Sequence, residues 1–306
     1  MKDRINPLVS ISCITYNHAP YIKKCLDGFL MQKTNFEIEI LIHDDASTDG
    51  TEQIIRDYEK KHPTIFKPLY ETENQWLKGR RGSKVFNFPR SRGKYIALCE
   101  GDDYWTDPYK LQKQVDFLEN NPDFVISFTD YNQTVEGSNS ITNKTNLCDK
   151  ETLSIDDLLV NNYVSTLTCI FRNNLFKEFP IGYNKLKVGD WPLHVLNARY
   201  GKIKYHKGWT TGVYRIHEGG VWSGEDKLTK YIAYAEVHEF FKEVLEKKYH
   251  NQIIQKLVDY YYYAASTLLE RNDQNAAKEV IEKMFRQSGI LDTRYLKLKI
   301  KQIFSR

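Results

Sequence analysis

Through the first hundred residues, apolar runs of strand character alternate with runs of helical periodicity, and that alternation admits few folds. Leu8 to Thr15 reads as a buried strand, and Ile22, Cys25, Leu26, Phe29 and Leu30 follow at helical spacing. Phe36, Ile38, Ile40 and Ile42 alternate as in a strand with one buried face. Ile54, Ile55 and Tyr58 mark a second helix, and strands are predicted at 65–70 and 94–100. Parallel neighbours need crossover connections, so this βαβαβ order predicts an α/β fold with a mostly parallel, Rossmann-type sheet flanked by helices. In such sheets ligands gather beyond the carboxyl ends of the strands. The residues there are Thr15-Tyr16-Asn17-His18, Asp44-Asp45-Ala46-Ser47-Thr48-Asp49-Gly50 and Gly101-Asp102-Asp103-Tyr104-Trp105. All three polar clusters are expected to meet along one edge.

Further strands are predicted at 124–128, 167–171, 202–206 and 211–216, with helices near Leu111–Leu118 and Trp191–Tyr200. The polar stretch 131–150 reads as a surface loop or hairpin. From about Lys227 strand signals vanish, which places a catalytic domain at 1–225 and a C-terminal helical region at 226–306. Composition narrows the function classes. Hydrophobic residues at 41% and charged residues at 27% exclude general disorder. A net charge of +4 is too small to imply a nucleic-acid partner. No apolar run approaches the roughly 18–20 residues that span a bilayer, and the first residues lack the apolar stretch of a signal peptide. Five cysteines without C-x-x-C spacing argue against a zinc site or disulfide framework. A cytoplasmic protein with buried, reduced thiols is expected.

Asp102-Asp103 is the most informative pair. Adjacent carboxylates at the end of an apolar strand are costly to desolvate unless a cation neutralises them, and hard divalent cations take such ligands together with substrate phosphates. The alternative is a solvated acidic turn. Asp45-x-Ser47-x-Asp49-Gly50 superficially matches a calcium loop, but its twelfth residue is Arg56 where a bidentate Glu is required. What remains is a polar loop entering a helix, suited to a base or ribose through Asp45 while Ser47 or Thr48 caps. Gly79-Arg80-Arg81-Gly82-Ser83-Lys84 lacks P-loop spacing and reads either as a solvated charge run or as a diphosphate clamp through Arg81. Asp190, before Trp191-Pro192, carries an N-cap signature, and a helix N-terminus favours the ionised carboxylate that a general base needs. His217 opens the glycine-rich Glu218-Gly219-Gly220-Val221-Trp222 segment, where it would complete a metal or phosphate site; the other seven histidines read as structural or surface residues.

Together, Pro7-Leu8-Val9-Ser10-Ile11 to Thr15-Tyr16-Asn17, Asp44-Asp45-Ala46-Ser47-Thr48-Asp49-Gly50-Thr51, and Gly93-Lys94-Tyr95-Ile96-Ala97 to Glu100-Gly101-Asp102-Asp103 resemble family 2 glycosyltransferases of GT-A fold. The similarity covers roughly residues 5–225. It implies an inverting enzyme that uses a nucleotide-diphospho-sugar, often a UDP-sugar, with Mn²⁺ or Mg²⁺. Thr15, Tyr16, Asn17 and Asp45 would then surround the nucleoside. Asp102 and Asp103 would form the acidic metal and diphosphate motif, with His217 beside them and Asp190 as general base. Glu100 stands where many relatives have the first Asp of an Asp-x-Asp-Asp string. The acceptor class implied is a glycan or lipid-linked glycan of bacterial surface polysaccharide such as capsule or O-antigen. A nucleotidyltransferase would show a Gly-rich basic signature after the first strand, where Tyr16-Asn17-His18-Ala19-Pro20 stands instead; the other alternative is an inactive nucleotide-sugar-binding module.

The tail, 293–306, has five basic residues and no acidic one. As a helix it would place Leu296, Ile300, Ile303 and Phe304 on one side. Such an end can lie on an anionic membrane surface; docking on its own domain, or on a second subunit in a homo-oligomer, is the alternative.

Overall fold

A computed structural model describes residues 6–80, 82–138, 140–144, 148–288 and 293–304, the backbone alone for 300–304. In chain order the elements are β1 (Val9–Thr15), α1 (Ala19–Leu30), β2 (Ile38–Asp44), α2 (Thr51–Lys61), β3 (Phe66–Tyr70), α3 (Ser83–Phe86), β4 (Tyr95–Leu98), β5 (Tyr104–Trp105) and α4 (Lys110–Asn120). There follow β6 (Phe124–Val135), β7 (Ile141–Lys144), β8 (Thr152–Leu153), α5 (Ile155–Val160), β9 (Ile170–Arg172), α6 (Asp190–Ala198) and β10 (Lys202–Ile216). Helices α7 (Lys227–Val244), α8 (His250–Glu270), α9 (Gln274–Ser288) and α10 (Thr293–Phe304) end the chain.

The chain groups into two compact units. One takes in residues 1–155, 162–178 and 193–217; the other takes in 156–161, 179–192 and 218–306. The first unit holds the whole sheet, in the order β3-β2-β1-β4-β9-β6-β10-β5, with β7 on β6 and β8 on β10. The βαβαβ expectation holds for β1 to β4, whose ladders β1–β2, β2–β3 and β1–β4 are all parallel. The short β9 enters antiparallel to both β4 and β6, and β10 then runs parallel to β6. Residues 202–206 and 211–216, expected as two strands, are one strand with register shifts between His206 and Val213. The stretch after 131 holds a hairpin, because β6 continues to Val135 and pairs with β7.

The core of this unit lies between the parallel strands and α1, α2 and α4. Ile22, Cys25, Leu26 and Phe29 present the buried stripe of α1, and Ile55, Leu111, Val115 and Leu118 supply those of α2 and α4. Burying an aliphatic or aromatic side chain of this kind contributes about 1.5–3 kcal/mol. All five cysteines are buried free thiols. Among the described residues no helix is long and apolar enough to cross a membrane.

In the second unit α7–α10 pack around Ala235, Leu257, Val258, Tyr261, Leu268, Ile281, Met284 and Leu298. The carboxylate of Asp226 caps α7 by accepting from the Thr229 amide at 2.8 Å and pairs with Arg271 at 2.9 Å. Helix α10 docks on its own unit: Leu298 is buried, the Tyr295 ring lies 5.0 Å from that of Phe285, and Arg294 pairs with Asp259 of α8. The buried side chain is therefore Leu298 rather than Leu296, which is 46% exposed. The side chains of Ile300, Ile303 and Phe304, which complete the expected apolar face, lie outside the described residues.

Two buried histidines give the fold a pH dependence. Burial lowers the His194 ring to about 3 and the His238 ring to about 4. Both stay neutral in the fold, so below about pH 6.5 the unfolded chain takes up protons that the folded chain refuses. Stability then falls by up to about 1.4 kcal/mol per pH unit for each ring as the pH drops from about 6.5 toward these values. Thermal melts from pH 7 to 5 should show this decline. His194→Leu, which removes a ring whose two nitrogens have no hydrogen-bond partner, should flatten it by one proton's worth; an unchanged slope counts against the assignment.

Candidate active site

The strand ends converge through backbone hydrogen bonds between neighbouring parallel strands. The Asp45 amide donates to Thr15 O at 3.0 Å, and the Gly101 amide donates to Ile14 O at 2.9 Å. The three polar clusters thus lie side by side, as the strand order requires.

The clusters after β1 and β2 are then stitched by side chains. Asn17 donates its amide to Ser47 Oγ at 2.9 Å and accepts from the Thr48 amide through Oδ1 at 2.8 Å. The His18 amide donates to Thr51 Oγ1 at 2.8 Å. Asp49 serves two helix starts, accepting from the Thr51 amide at 3.0 Å and from the Ala19 amide at 2.8 Å. The capping carboxylate is therefore Asp49, not Ser47 or Thr48, because its two oxygens reach the N-termini of both α2 and α1. Asn17 and Ala46 take left-handed backbone conformations, φ 54° and 62°. Ala46 does so without glycine's freedom, held by the bonds on either side.

The sequence-predicted residues take distinct environments. Thr15 is buried, with Oγ1 lacking a hydrogen-bond partner, and Tyr16 is exposed. Asp45 is buried and accepts from the backbone amides of Gln75 (2.6 Å) and Trp76 (3.1 Å), which fixes the loop after β3. Two amides leave lone pairs on that carboxylate for a further donor. Arg81 lies outside the described residues.

Asp102 and Asp103 share the turn after β4 but not its chemistry. Asp103 is buried, and one of its oxygens accepts from the Arg215 amide at 2.9 Å. Burial and the adjacent Asp102 charge push its carboxyl well above the usual range. For Asp102 burial also works upward, but the His217 hydrogen bond and the nearby His18 ring outweigh it and hold the carboxyl below its usual value. His217 Nε2 lies 3.1 Å from Asp102 Oδ2. That bond raises the His217 ring above its ordinary value. Arg215 reaches back with its guanidinium to Asp102 O. The other oxygen, Asp102 Oδ1, is buried without a hydrogen-bond partner.

One member of this group escaped the sequence reading. His18 brings a ring nitrogen to within 4.8 Å of ligand atoms of both Asp102 and His217, the grouping among the described residues with the make-up of a metal site. Its signal was its place, directly after the β1 strand-end cluster, which is the same kind of position that singled out His217.

Asp190 is the first residue of α6 and belongs to the second unit. Its charge, after burial, raises the phenols of Tyr183 and Tyr234, so its carboxylate stands near both. Trp191 anchors the helix start by donating Nε1–H to Leu158 O at 2.7 Å.

Glycosyl transferase family 2, as a family, matches residues 10–179, more than half of the sequence. The chain belongs to that family. Among its relatives, the uncharacterized protein Rv1520 of Mycobacterium tuberculosis is 37% identical over 215 residues, 70% of this chain and 60% of that one. The putative teichuronic acid biosynthesis glycosyltransferase TuaG of Bacillus subtilis is 32% identical over 162 residues, 53% of this chain and 61% of its own. The match thus spans about 60% of the length of these curated relatives. Among solved structures, S. aureus TarS 1–349 in complex with UDP-GlcNAc superposes with a TM-score of 0.69 at 18% identity, covering 97% of this chain and 88% of that one. The fold is the GT-A type of this family, followed by C-terminal helices.

Gly101 tests how tightly the edge is built. A Cβ there would lie 2.7 Å from Thr15 Oγ1, 2.8 Å from Thr15 Cβ and 3.0 Å from His18 Nδ1. Gly101→Ala should destabilise the protein by about 1–3 kcal/mol through overpacking, read as a lowered midpoint in chemical denaturation. A wild-type midpoint would show that the edge relaxes freely.

Proposed function

We propose that this chain is an inverting glycosyltransferase that moves a sugar from a UDP-sugar to a hydroxyl of a glycan or lipid-linked glycan during surface-polysaccharide synthesis. The observation that carries the reading is the partly buried Asp102–His217 pair at the carboxyl edge of β4, in a chain of this family. The UDP-GlcNAc bound to TarS supports the donor class, and the role in TuaG's printed name supports the polysaccharide.

On this reading Thr15, Tyr16, Asn17 and Asp45 hold the nucleoside. Asn17 acts through the backbone it fixes, and Asp45 accepts from the base with a lone pair that Gln75 and Trp76 leave over. The residues fit a divalent cation, because Asp102 Oδ1 is buried without a partner and an ionised carboxylate beside an imidazole is a suitable donor set. Asp102 and His217 would hold it, and Asp103 keeps the turn in place through the Arg215 amide. When bound, Mn²⁺ or Mg²⁺ supplies counter-charge for the diphosphate as the leaving group departs. Asp190 removes the proton of the acceptor hydroxyl, and the N-terminus of α6 favours the charged form that this needs. Inversion needs one base on the face opposite the leaving group and no second carboxylate as nucleophile.

The experiment is UDP release from a panel of UDP-sugars, with and without chelator. Chelator-sensitive release from at least one donor is expected, and none from any donor with Mn²⁺ present overturns the reading. Asp190→Asn keeps size and much of the capping but cannot take a proton. It should lower kcat at least about a hundredfold with donor Kd unchanged. An equal loss of donor affinity would make Asp190 a donor-site or structural residue.

A further inference from the structure

The Asp102–His217 pair leaves one histidine unexplained. His18 follows the β1 strand end, and its backbone is fixed from outside: the His18 amide donates to Thr51 Oγ1, and His18 O accepts from the amides of Tyr21 and Ile22 to open α1. The ring is placed as firmly. It lies edge-on to His217 with centroids 5.9 Å apart, edge-on to Tyr21 at 6.2 Å, and against Gly101. His18 Nε2 faces Asp102 Oδ2 at 3.9 Å, too long for a hydrogen bond. Nδ1 is buried without a hydrogen-bond partner.

A half-buried imidazole whose buried Nδ1 has no partner is poorly explained as a packing residue, because burying an unpaired polar nitrogen costs about 1–3 kcal/mol. Asp102 Oδ1, also buried and unpartnered, belongs to the same group. A cation set between His18 Nε2 and the Asp102 carboxylate would fill the 3.9 Å gap between them and give that carboxylate a partner. His18, Asp102 and His217 already offer ligand atoms within 4.8 Å of one another.

We propose that His18 is a protein ligand of the cation, so that the site is two imidazoles and one carboxylate rather than one of each. The inference rests on the metal-dependent reading above and adds a ligand and a selectivity to it. Asp103 is left out of the ligand set because it is not among the residues whose ligand atoms converge, and one of its oxygens is engaged by the Arg215 amide. Two nitrogen donors are accepted more readily by Mn²⁺ than by Mg²⁺, which prefers an oxygen shell and dehydrates reluctantly. The site is thus one for Mn²⁺, and Mg²⁺ is a poor substitute. Three protein ligands also leave coordination positions for diphosphate oxygens.

The test is cation binding, independent of turnover. Loss of the free Mn²⁺ electron paramagnetic resonance signal is followed as full-length protein with UDP is added, and Mg²⁺ is then titrated as competitor. Wild type should bind Mn²⁺ at least about tenfold more tightly than Mg²⁺. His18→Asn should weaken Mn²⁺ by at least about tenfold, the loss expected even of residues behind a ligand, and should leave Mg²⁺ nearly unchanged. His18→Asp, which restores a charged ligand, should recover Mn²⁺ binding and raise Mg²⁺ affinity. Thermal melts of each variant separate a lost ligand from a lost fold. Wild-type Mn²⁺ affinity in a folded His18→Asn protein overturns the His18 assignment and leaves the enzyme reading standing. Equal affinity of wild type for the two cations overturns the selectivity. If wild type binds no Mn²⁺ at all, the metal-dependent reading falls and the His18 assignment with it.

Discussion

Two adjacent carboxylates, one buried and one half-buried, are the constraint around which the first unit is arranged. Asp102 and Asp103 cannot both carry charge in such a place without compensation. The structure gives them opposite fates: Asp102 is ionised against His217, and Asp103 is pushed toward its neutral form beside the Arg215 amide. Both partners come from the end of β10. That strand must therefore run fifteen residues, along β6 as far as Val135 and antiparallel to the two residues of β5, to deliver residue 215 and then 217 to the turn after β4. The antiparallel strand β9, inserted between β4 and β6, sets the spacing across which β10 reaches back.

The part of the edge formed by the loops after β1 and β2 answers a different problem. Residues beyond parallel strands leave the ladder and must find other partners for their backbone groups. Here the β1 and β2 loops satisfy each other, through Asn17, Ser47, Asp49 and Thr51. The left-handed Ala46 costs of the order of 1 kcal/mol, offset by a loop whose Asp45 carboxylate is aimed by two amides from the next connection. Rigidity at this edge is thus built largely from short polar side chains, which explains why the sequence there is rich in Asn, Asp, Ser and Thr.

That arrangement was partly legible beforehand, for reasons that differ by element. Strands β1 to β4 declared themselves because buried parallel strands read as continuous or alternating apolar runs between helices. The polar residues that terminate them then had one place to go. What escaped was tertiary. A strand was expected at 167–171, but nothing in those residues announces that β9 enters antiparallel between β4 and β6. The break inside β10 was invisible as a bulge, since Lys207-Gly208-Trp209-Thr210 looks like a turn until β6 pairs on both sides of it. His18 escaped because a histidine beside a helix start has an ordinary reading as capping or surface. Only the crossing of β10 brings His217 against it.

The same distinction governs the second unit, where tyrosine is abundant and strand signal absent. Asp190 depends there on packing that sequence spacing could not disclose. Its neighbour Trp191 lies edge-on to Tyr234 at 5.4 Å and His238 at 5.1 Å, and its indole N–H is tied to Leu158 O. Tyr183 donates its hydroxyl to Gly189 O at 2.7 Å, bracing the chain just before the acid. Helix α7 thus supplies the wall against which the start of α6 is set, and α8 backs α7 through Tyr260 and Tyr261. A tyrosine suits this task because its ring packs while its hydroxyl finds a partner at the margin of the core. The C-terminal helices are therefore part of what fixes the start of α6, which carries Asp190, and a truncation that spared every residue of the strand-end clusters would still remove that support.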